Sequence, residues 1–218
     1  MDGLAQWLCV VVIITVHEFG HAWMATRCGD DTARLQGRLT LNPLSHIDMI
    51  GTVILPLLAL LLRLTGAGAI SSFIIGWGKP VPFNPGNLRR RGLDDMLIAM
   101  AGPAMNVLIT IAVMLFLRIA LFAHNPSTAA ALGTLTDATL MMATISMYLC
   151  FFNLIPIPPL DGSHVLRYFS GMGYESYLNL CRFGIVIVIV VIQIPAVQYV
   201  LAIATEASIQ ILYRLLRF

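Results

Sequence analysis

Long apolar runs limit what this chain can fold into more than any other feature. Residues 4–25, 97–123 and 140–157 approach or exceed the roughly 20 residues that cross a bilayer as one helix. Residues 183–194, a short run, and 196–216 add two more candidates. The chain of 218 residues is 58% hydrophobic and only 11% charged. A soluble domain carries about 25% charged residues, so this one lacks the polar surface to cover itself in water. The sequence predicts an all-α polytopic membrane protein. The first run has Asp2 and no Lys or Arg before it, and it is long, so it is expected to stay as a span rather than leave as a signal peptide. A net charge of +2 gives no reason to expect a nucleic-acid partner. Cys9, Cys28, Cys150 and Cys181 lie far apart with no metal-finger spacing and are expected to pack.

Between the runs the chain has its own punctuation. Gly29 in "CGDD" stops the first helix. "TARLQGRLTLNP" partly alternates apolar and polar residues and predicts a small β element, a strand or hairpin. Residues 50–77 are apolar but broken by Gly66 and Gly68, which predicts a re-entrant or short hairpin. "GKPVPFNPGNLRRRG" is a loop, Asp94 and Asp95 suit the positive end of the helix they open, and residues 124–133 form a loop. About six membrane segments result, in one domain over residues 1–218. With the N-terminus outside, Arg27, Arg34, Arg38, Lys79, Arg89, Arg90, Arg91, Arg167, Arg182, Arg214 and Arg217 fall inside and only Arg63 and Arg118 outside. That asymmetry follows the positive-inside rule and puts the C-terminus inside.

"TVHEFGHAW" then poses a chemical problem, because His17, Glu18 and His21 sit in mid-span. A helix turns about 100° per residue, so the two histidines lie about 40° apart on one face, one turn apart. Both imidazoles can reach one ion, and Glu18 can touch a water on it. This is the H-E-x-x-H arrangement of zinc hydrolases. An unpaired carboxylate in mid-membrane costs on the order of 2.5 kcal/mol or more, which argues against packing histidines and a stray acid.

A catalytic zinc takes three protein ligands and a water. Of the eleven acids, Glu18, Asp161 and Glu206 are the main candidates for membrane depth. Asp161 stands in "NLIPIPPLDG", on the histidine side of the predicted topology. Pro156, Pro158 and Pro159 force irregular backbone there, which membranes tolerate only around protein or a water cavity. Asp161 reads as the third ligand, as the N-cap of the helix after it, or as both.

These pieces resemble the site-2 proteases, the zinc intramembrane metalloproteases. The matching stretches are "HEFGH" at 17–21, "GPAMN" at 102–106 and "NLIPIPPLDG" at 153–162. "LNPLSHIDMIGT" and "GWGKPVPFNP" are similar to compact prokaryotic members without PDZ or CBS domains, and the likeness runs in order over nearly the whole chain. The resemblance implies one zinc ion held by His17, His21 and Asp161, with Glu18 as general base. It implies that Asn153 helps hold the substrate carbonyl or its oxyanion, a helix-bond satisfier being the plain alternative. Gly102 and Asn106 suit close helix packing. A transmembrane protein is the implied substrate, and an edge strand is to hold it unwound. "RLQGRLTLNP" is the candidate edge, or else a connecting loop.

The expected setting is the cell membrane, with the active site toward the cytoplasm. Partners are the lipid bilayer and a transmembrane substrate, with a regulatory membrane partner or homo-oligomer open. His164 reads as a support for Asp161 or as a solvated residue, and His46 as a loop residue near the site mouth. Glu206 faces a bundle partner or lies on an interfacial helix. The rival functions are a metal transporter, which lacks a polar path outward, and an inactive substrate-binding homologue.

Overall fold

The computed structural model describes residues 3–65, 77–122 and 129–216, and among them every regular element is helical. Helix α1 (Gly3–Cys28) ends where Gly29 takes a φ of 105°, a conformation that suits glycine. A single turn, α2 (Thr32–Leu35), follows. A π-helical turn at Met49–Ile54 leads into α3 (Leu55–Leu64). The longest helix is α4 (Arg91–Phe122), followed by α5 (Ala129–Asn153) and the short α6 (Gly162–Ser170). Two more long helices close the chain, α7 (Tyr174–Ile192) and α8 (Pro195–Leu215), with Pro195 in the first turn of α8, where its missing N–H costs nothing. Five of these, α1, α4, α5, α7 and α8, are long and apolar enough to cross a membrane.

The centre is α1 against α4 and α4 against α5. Small residues bring α1 and α4 together. A Cβ on Gly20 would lie 2.6 Å from Met105 Cγ and 2.8 Å from the Ala101 carbonyl, so only glycine fits. Ala22 and Ala25 on the same helix are fully buried. Ser146 of α5 and Thr110 of α4 both donate to the Asn106 carbonyl at 2.8 Å, a polar pin in an apolar interface.

The structure corrects the expected β element. Residues 32–45 form a helical turn, a left-handed Gly37 at φ 68° and a 3-10 turn, with no strand. The reason is Arg38. It is buried and donates to the carbonyls of Ser45, Lys79 and Pro80, so it gathers the chain around a cation instead of laying it along a neighbour. The loop expected at 124–133 is shorter, because α5 already begins at Ala129. The predicted hairpin starts and ends at one place. Trp77 N–H donates to the Gly51 carbonyl at 3.3 Å, and Thr52 Oγ1 donates to the Trp77 carbonyl at 2.7 Å. Its outgoing limb α3 rises only about 15 Å, half a bilayer core. Its turn, residues 66–76, lies outside the described residues.

Six expected segments are not confirmed, since five helices among the described residues are long and apolar enough to cross a membrane. Arg118 Nε donates to the Leu216 carbonyl at 3.0 Å, so α8 ends beside the end of α4, about 40 Å of helix from Arg91. Tyr174, which opens α7, shares a pocket with Arg91 at the other end. The start of α7 and the end of α8 therefore lie at opposite ends of α4. The physical reason is that α8 packs along α5, while the joint at residues 193–194 does not fold α8 back on α7.

Candidate metal centre

His17 and His21 face α4 at the level of its "GPAMN" stretch. A Cβ on Gly102 would run into the His21 ring and lie 2.6 Å from His17 Cε1, so this glycine makes the space the two rings occupy. His21 Nδ1 lies 2.7 Å from the Ile98 carbonyl. A carbonyl can only accept, so Nδ1 carries the proton and Nε2 presents its lone pair to the centre.

Asp161 reaches the pair from the far side on a loop built by its prolines. α5 stops at Asn153, shortly before Pro156. Residues 154–160 then close through turns such as Leu160 N–H to the Ile157 carbonyl at 2.9 Å, with a cis bond between Pro158 and Pro159. A Cβ on Gly162 would strike the Leu154 carbonyl, so the loop folds onto its own exit. Asp161 occupies the cap position of α6 but makes no side-chain cap bond. Its carboxylate turns to the histidines instead.

Three potential ligand atoms result, all within 4.8 Å of one another. His17 Nε2 and His21 Nε2 are 3.0 Å apart, His17 Nε2 is 3.2 Å from Asp161 Oδ2, and His21 Nε2 is 3.5 Å from Asp161 Oδ1. Two ligands at about 2.0–2.1 Å from a tetrahedral zinc stand about 3.3 Å apart, and these three edges bracket that length. Asp161 Oδ2, although near His17, is buried without an aligned hydrogen bond. Lone pairs that converge with too few protons between them suit a cation, and the donor set fits zinc. Burial alone would raise the Asp161 carboxyl, but the neighbouring His21, His17 and His164 outweigh it and hold it below the usual range.

The trio opens into a cavity of about 770 Å³ with mostly apolar walls. Glu18 lines it one residue from His17, with Oε2 accepting from Val81 N–H at 3.2 Å and Oε1 left free for a water. Asn153 also lines the cavity, but its Nδ2 donates back to the Leu149 carbonyl at 3.0 Å. "RLQGRLTLNP" does not border the cavity. One of its walls is the irregular stretch 77–83, through Trp77, Gly78, Pro80, Val81 and Phe83. Arg38 anchors that stretch and has Glu18 as its charge partner; burial lowers its pKa and Glu18 raises it again, with a net fall.

Other ionisable residues find distinct places. His164 is half-buried and paired. Its Nδ1 lies 2.7 Å from Asp95 Oδ2 and its Nε2 2.9 Å from Tyr177 Oη, while Arg167 pairs with Asp95 at 2.8 Å. This network joins α4, α6 and α7 behind Asp161, and the sequence offered Asp95 only as a helix-end charge. His46 is buried in its loop, 2.8 Å from the Thr40 carbonyl, and its own carbonyl accepts from Lys79 N–H at 2.9 Å beside the cavity-lining Gly78. Glu206 sits on the outward side of α8 and accepts from Gln210 at 3.0 Å.

Fold and site together define a multi-pass membrane protein with a metal-ligand trio enclosed among its helices. Residues 118–194 match the model of peptidase family M50. The chain is 31% identical over 203 residues to "Putative zinc metalloprotease YwhC" of Bacillus subtilis, covering 91% of this chain and 85% of that protein. It is 30% identical over 164 residues to "Putative zinc metalloprotease Rip2" of Mycobacterium tuberculosis, covering 75% of this chain and 55% of that one. For Rip2 of Mycolicibacterium smegmatis the identity is 28% over 196 residues, or 89% and 68% of the two chains. No solved structure matches. The chain belongs to peptidase family M50, the site-2 protease family that its motifs resemble.

Proposed function

We propose that this chain is an intramembrane zinc endopeptidase that hydrolyses peptide bonds within or near transmembrane segments of other membrane proteins. The observation that carries the reading is the convergence of His17, His21 and Asp161 within 4.8 Å, beside Glu18, in a cavity lined by the long apolar helices. His17, His21 and Asp161 would hold one zinc ion, which supplies Lewis-acid activation of water and of the scissile carbonyl. Glu18 takes the water's proton at its free Oε1 and passes it to the departing amine. Its other oxygen stays fixed by Val81 N–H. Asn153 holds the substrate carbonyl once its amide leaves the Leu149 carbonyl. The apolar cavity wall receives an unwound substrate segment and excludes bulk water.

The N-terminus lies outside in this reading, in the cell membrane, and the centre opens toward the cytoplasmic side. Arg27, Lys79, the run Arg89-Arg90-Arg91 and Arg167 gather toward the end of α1 that follows the histidines, which supports that orientation. Residues 1–218 act as one domain. Selection of substrate falls to the membrane core, a regulatory membrane partner or a second copy.

The test compares wild type with Glu18→Gln, measuring zinc content and cleavage of a model transmembrane substrate in detergent. The variant keeps the shape and is expected to keep zinc while cleavage falls by at least about 100-fold. Cleavage by Glu18→Gln at the wild-type rate removes Glu18 from the chemistry. Zinc binding by both proteins with zinc flux across vesicles and no cleavage favours the transporter reading.

A further inference from the structure

Asn106 is fully buried in α4, one turn past Gly102, and its side chain lines the cavity of the metal trio. Its backbone carbonyl is spent on Thr110 and Ser146, but its carboxamide is not. The carboxamide lies within reach of the His17 side chain, and both residues line the same cavity. His17 Nδ1, Asn106 Oδ1 and Asn106 Nδ2 are all buried without a hydrogen-bond partner. Buried polar groups are nearly always paired, and leaving one unpaired is expensive. His17 Nδ1 and one amide atom of Asn106 can satisfy each other.

The two histidines differ in how the nitrogen turned from the centre is held. The Nε2 of each points at the centre. His21 has its Nδ1–H held by the Ile98 carbonyl of α4, whereas His17 Nδ1 faces α4 with nothing aligned to hold it. A histidine that ligates a metal almost always donates its other N–H to a carboxylate, a carbonyl or water, which fixes the tautomer and aims the lone pair. α4 runs antiparallel to α1, so the group level with His17 lies further along α4 than Ile98, and there the helix offers Asn106.

We propose that Asn106 is a positioning residue for the metal centre, its Oδ1 accepting the Nδ1–H of His17 as the Ile98 carbonyl does for His21. A turn about the terminal torsion exchanges the amide oxygen and nitrogen without changing shape, so the acceptor can face the ring with no change in packing. Nδ2 is then left pointing toward the cavity. The role differs from helix packing, which an isosteric apolar residue would fill equally well.

The inference rests on His17 being a ligand, so zinc binding by wild type is the control. Asn106→Leu keeps the volume and removes the acceptor, and Asn106→Asp keeps the acceptor. Zinc dissociation constants are measured by chelator competition, with thermal unfolding of the zinc-free proteins in detergent. Asn106→Leu is expected to bind zinc 10- to 100-fold more weakly, with unfolding unchanged, and Asn106→Asp within about threefold of wild type. Equal affinity for wild type and Asn106→Leu overturns the proposal. Should Asn106→Leu not fold, nitrogen NMR of histidine in zinc-loaded wild type replaces it. A protected proton on His17 Nδ1 supports the assignment, and a freely exchanging one overturns it. If wild type binds no zinc, the metal reading fails first.

Discussion

α1 and α8 are both long apolar helices, and the fold uses them in opposite ways. In the most apolar window of α1, 44% of residues are buried in the protein; in α8 the share is 11%. α1 turns Thr15, His17, Gly20, Ala22 and Ala25 inward, whereas α8 buries only Leu201 and Thr205 and leaves Tyr199, Val200 and Ile211 exposed. Hydropathy does not separate the two, because lipid is as apolar as a leucine side chain. Small and polar residues do, since they let backbones approach and then cage groups that hydrocarbon would reject. α7 stands between these cases. Its outer surface is exposed, but Ile185, Val188 and Ile189 wall the cavity and Gly184 lies against the Pro158 carbonyl.

The strongest test of this contrast removes a proposed ligand from the inner half. Asp161→Ala leaves two histidines, too few for a catalytic zinc. Zinc affinity is expected to fall at least 100-fold and cleavage about 1,000-fold or more, while circular dichroism keeps its helical signal. Ile211→Ala on the outer side of α8 is the matched control and is expected to leave both within about twofold. An equal loss from the two variants would mean that α8 belongs to the site.

A smaller effect probes α7. A Cβ on Gly184 would collide with the Pro158 carbonyl and come within 3.1 Å of Pro159 Cδ. Gly184→Val therefore pushes on the loop that delivers Asp161. Overpacking of this kind costs about 1–3 kcal/mol, so thermal unfolding in detergent is expected several degrees lower, with weaker zinc binding. Loss of stability with unchanged zinc affinity would show that the loop and the ligand move independently.

These contrasts mark how far the sequence could be read. His17, Glu18 and His21 declare themselves by spacing on one helix, a local property. Asp161 is readable because three nearby prolines forbid a helix around it. The β element was misread because alternation in "RLQGRLTLNP" says nothing about Arg38, whose acceptors at Lys79 and Pro80 lie far along the chain. Asp95 looked like a helix-end charge, since only folding brings His164 and Arg167 to it. The place of α8 is not legible in charge counting, because Arg118 and Leu216 meet through tertiary packing.

The smallest expected effect concerns the water end of α1, where Asp30 does for the loop what small residues do in the span. Asp30 is fully buried, accepting from Thr32 N–H and Oγ1, from Asn84 N–H at 2.7 Å and from Asn87 Nδ2 at 2.8 Å. Burial pushes its carboxyl up, but the hydrogen bonds from Thr32, Asn87 and Asn84 outweigh it and hold it below the usual carboxylate range. A carboxyl depressed by folding stabilises the folded state above its unfolded pKa of about 3.9, and that stability is lost as pH falls through the lower folded value. Asp30→Asn is therefore expected to unfold earlier than wild type at pH 7 by roughly 1.5–3 kcal/mol, the worth of hydrogen bonds to a charged group. The gap should close as both proteins are taken below about pH 4. Thermal unfolding in detergent from pH 7 to pH 3 checks this. A constant gap would assign the join to shape rather than charge.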